Sequence, residues 1–115
     1  MSDCLFCKIV AGEVPAKIVK RSDDAVAFRD IDGKAPVHVL VIPRRHVSAV
    51  RDAKGSDGER LLGSLLAFAA TVASEEGLDT DGYRIVTNTG RNAGQSVDHL
   101  HLHVLGGRKL TWPPG

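Results

Sequence analysis

Residues 99–105 read His-Leu-His-Leu-His-Val-Leu, an alternation of imidazole and aliphatic side chains that holds from His99 through Val104. A period of two is the mark of a β-strand with two unlike faces. The run therefore predicts a strand at about His99 to Leu105. His99, His101 and His103 project from one face, while Leu100, Leu102 and Val104 cover the core. Alternate residues of a strand sit about 6.7 Å apart, close enough for neighbouring imidazoles to touch different atoms of one phosphate ester or one metal site. His38 opens a separate strand and reaches the same face if the two strands are neighbours. One histidine in such a place carries no message. Three at alternate positions, behind a Gly-Gln-Ser loop, point to chemistry.

The rest of the chain supplies a frame for that strand. Residues 4–11 fit a short helix, ended by Gly12 with Pro15 soon after. Lys17 to Arg21 and Ala25 to Phe28 read as strands joined by the turn Ser22-Asp23-Asp24. Val37 to Ile42 has the pattern of a buried central strand, which Pro43 ends. The one long helix is expected from about Ser56 to Glu76, with Leu61, Leu65, Phe68 or Ala69, and Val72 at helical spacing. Ser56 is placed to cap its start and Gly77 to end it. Tyr83 to Thr87 is a further strand, followed by the turn-rich loop 88–96. Five strands, hairpins among them, with one long helix and a short N-terminal one predict an α+β fold with a mainly antiparallel sheet.

At 115 residues the chain fits one domain, 1–115, with no repeat or linker dividing it. A formal charge of +1 and no basic stripe interleaved with aromatics give nucleic-acid binding no support. The longest nearly apolar stretch, Leu61 to Ala73, is well short of a membrane span. Met1-Ser2-Asp3-Cys4 lacks the basic region and apolar run of a secretory signal, so a cytoplasmic location is expected.

A neutral imidazole is a good nucleophile, and its usual pKa near 6.5 leaves it largely unprotonated at neutral pH. It can attack phosphorus and form a covalent intermediate that water then opens. A second imidazole, or the backbone N–H groups of Gly94 to Ser96, can hold the charged oxygens. These parts suffice for phosphoryl transfer without a catalytic metal.

His99-Leu100-His101-Leu102-His103-Val104-Leu105 resembles the histidine triad (HIT) motif. Phe6-Cys7-Lys8-Ile9, Ile42-Pro43-Arg44-Arg45-His46, Gly94-Gln95-Ser96-Val97 and the ending Leu105-Gly106-Gly107-Arg108 through Trp112-Pro113-Pro114-Gly115 extend the similarity, to the Hint branch, over essentially the whole chain. The resemblance implies a HIT-like fold and a homodimer with a continuous sheet across its interface. It also implies a hydrolase of adenosine 5′-phosphoramidates or acyl-adenylates that releases AMP through a covalent nucleotidyl-histidine. By position His101 is the nucleophile, with His103, His38 and Ser96 beside the phosphate. Gly94, Gln95 and Asn88 fall in the nucleotide site, Asp30 matches the carboxylate that holds the ribose hydroxyls, and Phe6, Ile9, Phe28 and Ile31 match the walls around the base. On pattern alone those four apolar residues would be ordinary core. The tail from Thr111 has no partner that the pattern supplies. The resemblance implies that it crosses the dimer and brings Trp112 to the other subunit's leaving group, or else covers an apolar patch. Arg29, next to Asp30, is expected to point into water.

Cys4 and Cys7 form a single C-x-x-C, which by itself fits a redox pair, two inert thiols or half of a metal site. A structural zinc needs four ligands. The resemblance to a zinc-bearing subset of relatives implies that His46 and His99 complete the set. Two other activities stay open: hydrolysis of dinucleoside polyphosphates, and nucleotide-dependent regulation with incidental hydrolysis.

Overall fold

The computed structural model describes residues 3–115, so the first two residues of the expected 1–115 domain lie outside the described residues. A five-stranded antiparallel sheet is built from β1 (Ile18–Arg21), β2 (Ala25–Arg29), β3 (Val37–Pro43), β4 (Tyr83–Val86) and β5 (Leu102–Gly106), in the spatial order β1-β2-β3-β5-β4. A short helix α1 (Leu5–Val10) and a long helix α2 (Gly55–Glu75) complete the regular elements, with 3₁₀ turns at Val50–Asp52 and Arg91–Ala93. The α+β class, the five strands and the two helices agree with the expectation. No helix among the described residues is long and apolar enough to cross a membrane.

Strand alternation sorts the core into two clusters. Ala25, Ala27, Val39, Val41, Leu102 and Val104 pack against Leu65, Ala69, Val72 and Ala73 of α2. Their sequence neighbours Val26, Phe28, Leu40 and Ile42 turn the other way and pack against Phe6 of α1. His38 and His103 belong to this second set by parity, so the sheet presents its histidines on the face away from α2.

Local signals explain most element ends. The Ser22 hydroxyl accepts the Asp24 and Ala25 N–H groups in the β1–β2 turn. Gly77 ends α2 with φ +77°. Its N–H donates to the Ser74 carbonyl and the Leu78 N–H to the Ala73 carbonyl, the paired bonds of a Schellman cap. Leu78 then lies against Gly106, where a Cβ would come within 2.8 Å of the leucine methyl groups.

Two ends differ from expectation. α2 begins at Gly55 with Lys54 in the cap position and no side-chain cap, and Ser56 sits inside the first turn. The chain folds back so tightly before the helix that a Cβ on Gly58 would collide with the Ala53 backbone. Close packing of the preceding turn, not a capping hydroxyl, sets this start. β5 begins at Leu102, not His99. Val41 pairs with Leu102, so continued pairing would set Leu100 opposite Pro43, which has no N–H to give. The Leu100 N–H turns instead to the Val47 carbonyl at 2.6 Å. His99 and His101 therefore stand just outside the ladder.

Candidate active site and metal centre

β3 and β5 are neighbours, with His38 opposite Leu105 and His103 opposite Leu40. That register sets His38 and His103 diagonally across the pair, and His38 Nε2 lies 2.9 Å from His103 Nδ1. The backbone fixes which nitrogens carry protons. The Lys34 N–H donates to His38 Nδ1 at 3.0 Å, so in the neutral ring the proton sits on His38 Nε2. His38 Nε2–H donates to His103 Nδ1, which leaves the His103 proton on Nε2, free for a ligand. At His101 the order is reversed. Its Nδ1 lies 2.7 Å from the His99 carbonyl, which can only accept. Nδ1 therefore carries the proton and Nε2 keeps a lone pair. The His101 and His103 rings are 5.0 Å apart, centroid to centroid. An imidazole with a lone pair on Nε2 and one with an N–H on Nε2 thus lie ring beside ring.

Burial keeps the relay neutral. It holds the His103 imidazole down at about 4, with the nearby His101 and His38 adding to the depression. Burial likewise lowers His38, against the opposing pull of the Asp30 carboxylate. Asp30 Oδ2 is 3.5 Å from His38 Nε2, and Asp30 Oδ1 accepts the Asp32 N–H at 2.8 Å. Asp30, His38 and His103 are spaced closely enough to hold a metal ion. The Lys34 bond argues otherwise, because a metal on His38 Nε2 would require a ring with neither nitrogen protonated.

A cleft of about 540 Å³ opens here, lined by Asp30, His38, Asn88, Ser96 and His103. The loop behind it is held by Gln95. Its side chain accepts the Gly90 N–H and donates to the Ser48 and Val97 carbonyls. The Gln95 backbone N–H goes to Gly90 and the Gly94 N–H to Arg91. The expectation that Gly94 to Ser96 offer a row of backbone donors is therefore corrected: two of the three are spent on the turn itself, and Ser96 faces the cleft. Gln95 acts by shaping the loop.

The expected base walls divide. Phe6 and Phe28 are buried, 5.5 Å apart and edge-to-face, Ile9 packs beside them half-buried, and Ile31 is fully exposed, 102%. A side chain in open solvent forms no wall in this chain alone. Arg29 does not point into water but meets Glu76 through two bonds of 2.7 and 3.1 Å. Trp112 is 81% exposed. The tail does find a partner in its own subunit: Arg84 donates to the Thr111 carbonyl, and Pro114 reaches the rim of the same cleft. Sequence reasoning missed Lys34, whose contribution is a backbone N–H and so leaves no trace in residue type. It also missed Thr87, whose hydroxyl donates to the His101 carbonyl at 2.9 Å.

At the other end of the histidine row, Cys4, Cys7, His46 and His99 offer donor atoms that all lie within 4.8 Å of one another. His99 is fully buried and its Nε2–H donates to the Pro43 carbonyl at 2.9 Å. That bond leaves Nδ1 as a lone pair facing Cys4 Sγ at 3.4 Å and Cys7 Sγ at 3.5 Å. His46 Nδ1 approaches Cys7 Sγ at 3.3 Å. Two sulfurs and two imidazoles, one with its tautomer fixed by a backbone carbonyl, could hold a metal ion and fit the donor set that a closed tetrahedral zinc site requires.

An antiparallel sheet that carries alternate histidines on one face, beside a polar cleft, defines the class of histidine-triad proteins. The chain belongs to the HIT domain family, whose model matches residues 11–110. It is 50% identical over 113 residues to an uncharacterized HIT-like protein of Synechococcus elongatus, a match covering 98% of this chain and 97% of that one. The crystal structure of a HIT family hydrolase from Legionella pneumophila is similar with a TM-score of 0.94 and 48% identity, covering 98% of this chain and all of that one (100%). A histidine triad nucleotide-binding protein from Candida albicans is similar with a TM-score of 0.77 and 30% identity, over 96% of this chain and 83% of that chain.

Proposed function

We propose that this protein is a Hint-branch hydrolase that cleaves adenosine 5′-phosphoramidates or acyl-adenylates to AMP. The observation that carries the reading is the bond of His101 Nδ1 to the His99 carbonyl: with Nδ1–H held there, the neutral ring presents Nε2 as a nucleophile. His101 Nε2 attacks the α-phosphorus and the bond to the leaving nitrogen or acyl oxygen breaks, so that the amine departs with a proton from solvent or the acyl group departs as a carboxylate. Water then attacks phosphorus and breaks the P–Nε2 bond, giving AMP and free His101 while a proton returns to solvent. His103 Nε2–H, kept neutral by burial, donates to a non-bridging oxygen, and His38 fixes its orientation. Ser96 and Asn88 hold the phosphate side, and the Asp30 carboxylate takes the ribose hydroxyls. Phe6, Ile9 and Phe28 lie against the base.

Similarity to a protein described as a histidine triad nucleotide-binding protein supports the substrate class. Zinc on Cys4, Cys7, His46 and His99 is structural in this reading. β4 is an edge of the sheet, and Tyr83 upon it and Leu66 on α2 are exposed, which supports a homodimer joined through that edge. Comparison of kcat/KM for an adenosine phosphoramidate and for diadenosine polyphosphates tests the reading, together with rapid-quench trapping of the adenylyl-enzyme. A higher value on the phosphoramidate and a labelled His101 are expected. Preference for the dinucleotide would move the chain to the polyphosphate branch. AMP binding without turnover of either would make it a nucleotide-dependent regulator.

A further inference from the structure

The cysteine–histidine cluster and the nucleophile are joined by two separate contacts. The first runs through His99. Its ring sits among the thiols, while its carbonyl receives the His101 Nδ1–H at 2.7 Å. The second runs through α1. Cys4 occupies the cap position of that helix, and its sulfur accepts the Cys7 N–H. Between the two cysteines stands Phe6, which packs edge-on against His101 at 5.1 Å and against His99 at 5.9 Å. Because β5 begins at Leu102, no ladder bond with β3 orients the His99–His101 segment. Its backbone is held by Leu100 on Val47 and by Thr87 on the His101 carbonyl. Nothing in those two bonds fixes the His101 ring.

We propose that the Cys4–Cys7–His46–His99 centre is a positioning device for the nucleophile, with His99 and Phe6 as the positioning residues. The proposal rests on the zinc reading above and gives the metal a role beyond stability. With an ion bound, Cys4 and Cys7 would tie α1 to the His99 ring. The Phe6 ring and the His99 carbonyl then clamp His101 on two sides, with Nδ1 on the carbonyl and the lone pair left on Nε2. Loss of the ion unties α1 from the His99 ring, which is then held by its Pro43 bond alone, and as Phe6 shifts, His101 samples other rotamers and the other tautomer. The ribose and phosphate contacts of Asp30, Asn88 and Ser96 persist while the α1 side of the base wall loosens, so attack slows more than binding weakens. Misplacement of a reacting group by about 1 Å costs on the order of a hundredfold in rate.

The test uses the full chain purified with zinc, alongside His46→Ala and His46→Cys. His46 lies at the exposed edge of the cluster, and His46→Cys keeps four ligands. Metal analysis comes first, and wild-type protein without zinc would defeat the zinc reading and with it this proposal. With zinc present, His46→Ala is expected to lose metal and to lower kcat roughly tenfold to a hundredfold, with a smaller loss of AMP affinity. His46→Cys restores both metal and kcat. Imidazole ¹⁵N NMR should show a single Nδ1–H tautomer at His101 in loaded protein and a mixture in metal-depleted protein. This readout stands even if no phosphoramidate proves to be a substrate. A folded, metal-depleted protein with unchanged kcat and an unchanged His101 spectrum would overturn the proposal. If metal-depleted protein does not stay folded, Phe6→Leu decides. It keeps all four ligands, and retained zinc with unaltered kcat and ring spectrum would equally overturn the coupling.

Discussion

The two faces of the sheet are built from the same strands and differ in almost everything else. Toward α2 the side chains are aliphatic and buried, and Leu65, Ala69, Val72, Val104 and Val39 leave no polar group among them. On the opposite face, Phe6 and Phe28 give way within a few residues to His38, His99, His101 and His103, every ring held by a carbonyl, an N–H, a thiol or another ring. The first face stabilises by area and tolerates no polar intruder. The second gains its burial energy from Phe6, Val26, Phe28, Leu40 and Ile42, while each buried imidazole beside them has to be desolvated and hydrogen-bonded. Stability and chemistry are thus divided by strand parity. A side chain one position along moves from one task to the other.

The largest effect expected from breaking this division is at His101. His101→Gly should lower turnover of an adenosine phosphoramidate by at least about a thousandfold, as loss of a covalent nucleophile does. AMP affinity, measured by calorimetry, should change little, while urea stability falls, because the ring is 4% exposed and its bond to the His99 carbonyl is lost. Near-normal turnover would remove His101 from the role.

On the α2 face the pattern should invert. Leu65 is 1% exposed, and Leu65→Ala should cost about 2–5 kcal/mol in urea unfolding, while kcat per folded molecule stays within about twofold. A large fall in kcat with stability intact would show that the two faces are not separable.

Acid should weaken the histidine face selectively. His103 and His38 titrate below their usual value when folded, so between pH 6.5 and about 4 the unfolded chain binds more protons than the native one. Stability is fully present above pH 6.5 and falls as pH drops toward 4. The loss for His103 amounts to a few kcal/mol at most, on the order of 1.4 kcal/mol for each unit of depression. Urea midpoints across that range should decline less steeply in His103→Asn than in wild type. Equal slopes would mean that His103 is not held neutral by the fold.

The smallest expected effect lies at the rim. Deleting residues 111–115 removes the Arg84–Thr111 bond and Pro114 from the cleft, and should leave folding and AMP affinity intact. Ratios of kcat/KM between phosphoramidates of bulky and small amines should shift by a few fold, in line with the modest discrimination of apolar contacts. Unchanged ratios across the series would mean that neither Pro114 nor Trp112 touches the leaving group.

The sequence by itself determined that there are five strands and, within each, the parity of its side chains, because side-chain period is a local property of an extended backbone; where β5 starts was not local. It also marked the end of α2, since Gly77 supplies the positive φ that a Schellman cap demands. Tertiary structure decided what no local pattern encodes. The β3–β5 register brought His38 to His103, although 64 residues separate them. Backbone groups of Lys34, Pro43 and His99 chose each imidazole's tautomer, and a backbone partner is invisible in residue type. Pro43 stopped the ladder and left the His99–His101 segment to be held by side chains. Packing also sent Ile31 into solvent and drew Arg29 to Glu76, because exposure and ion pairing depend on which distant element lies opposite, not on the residue itself.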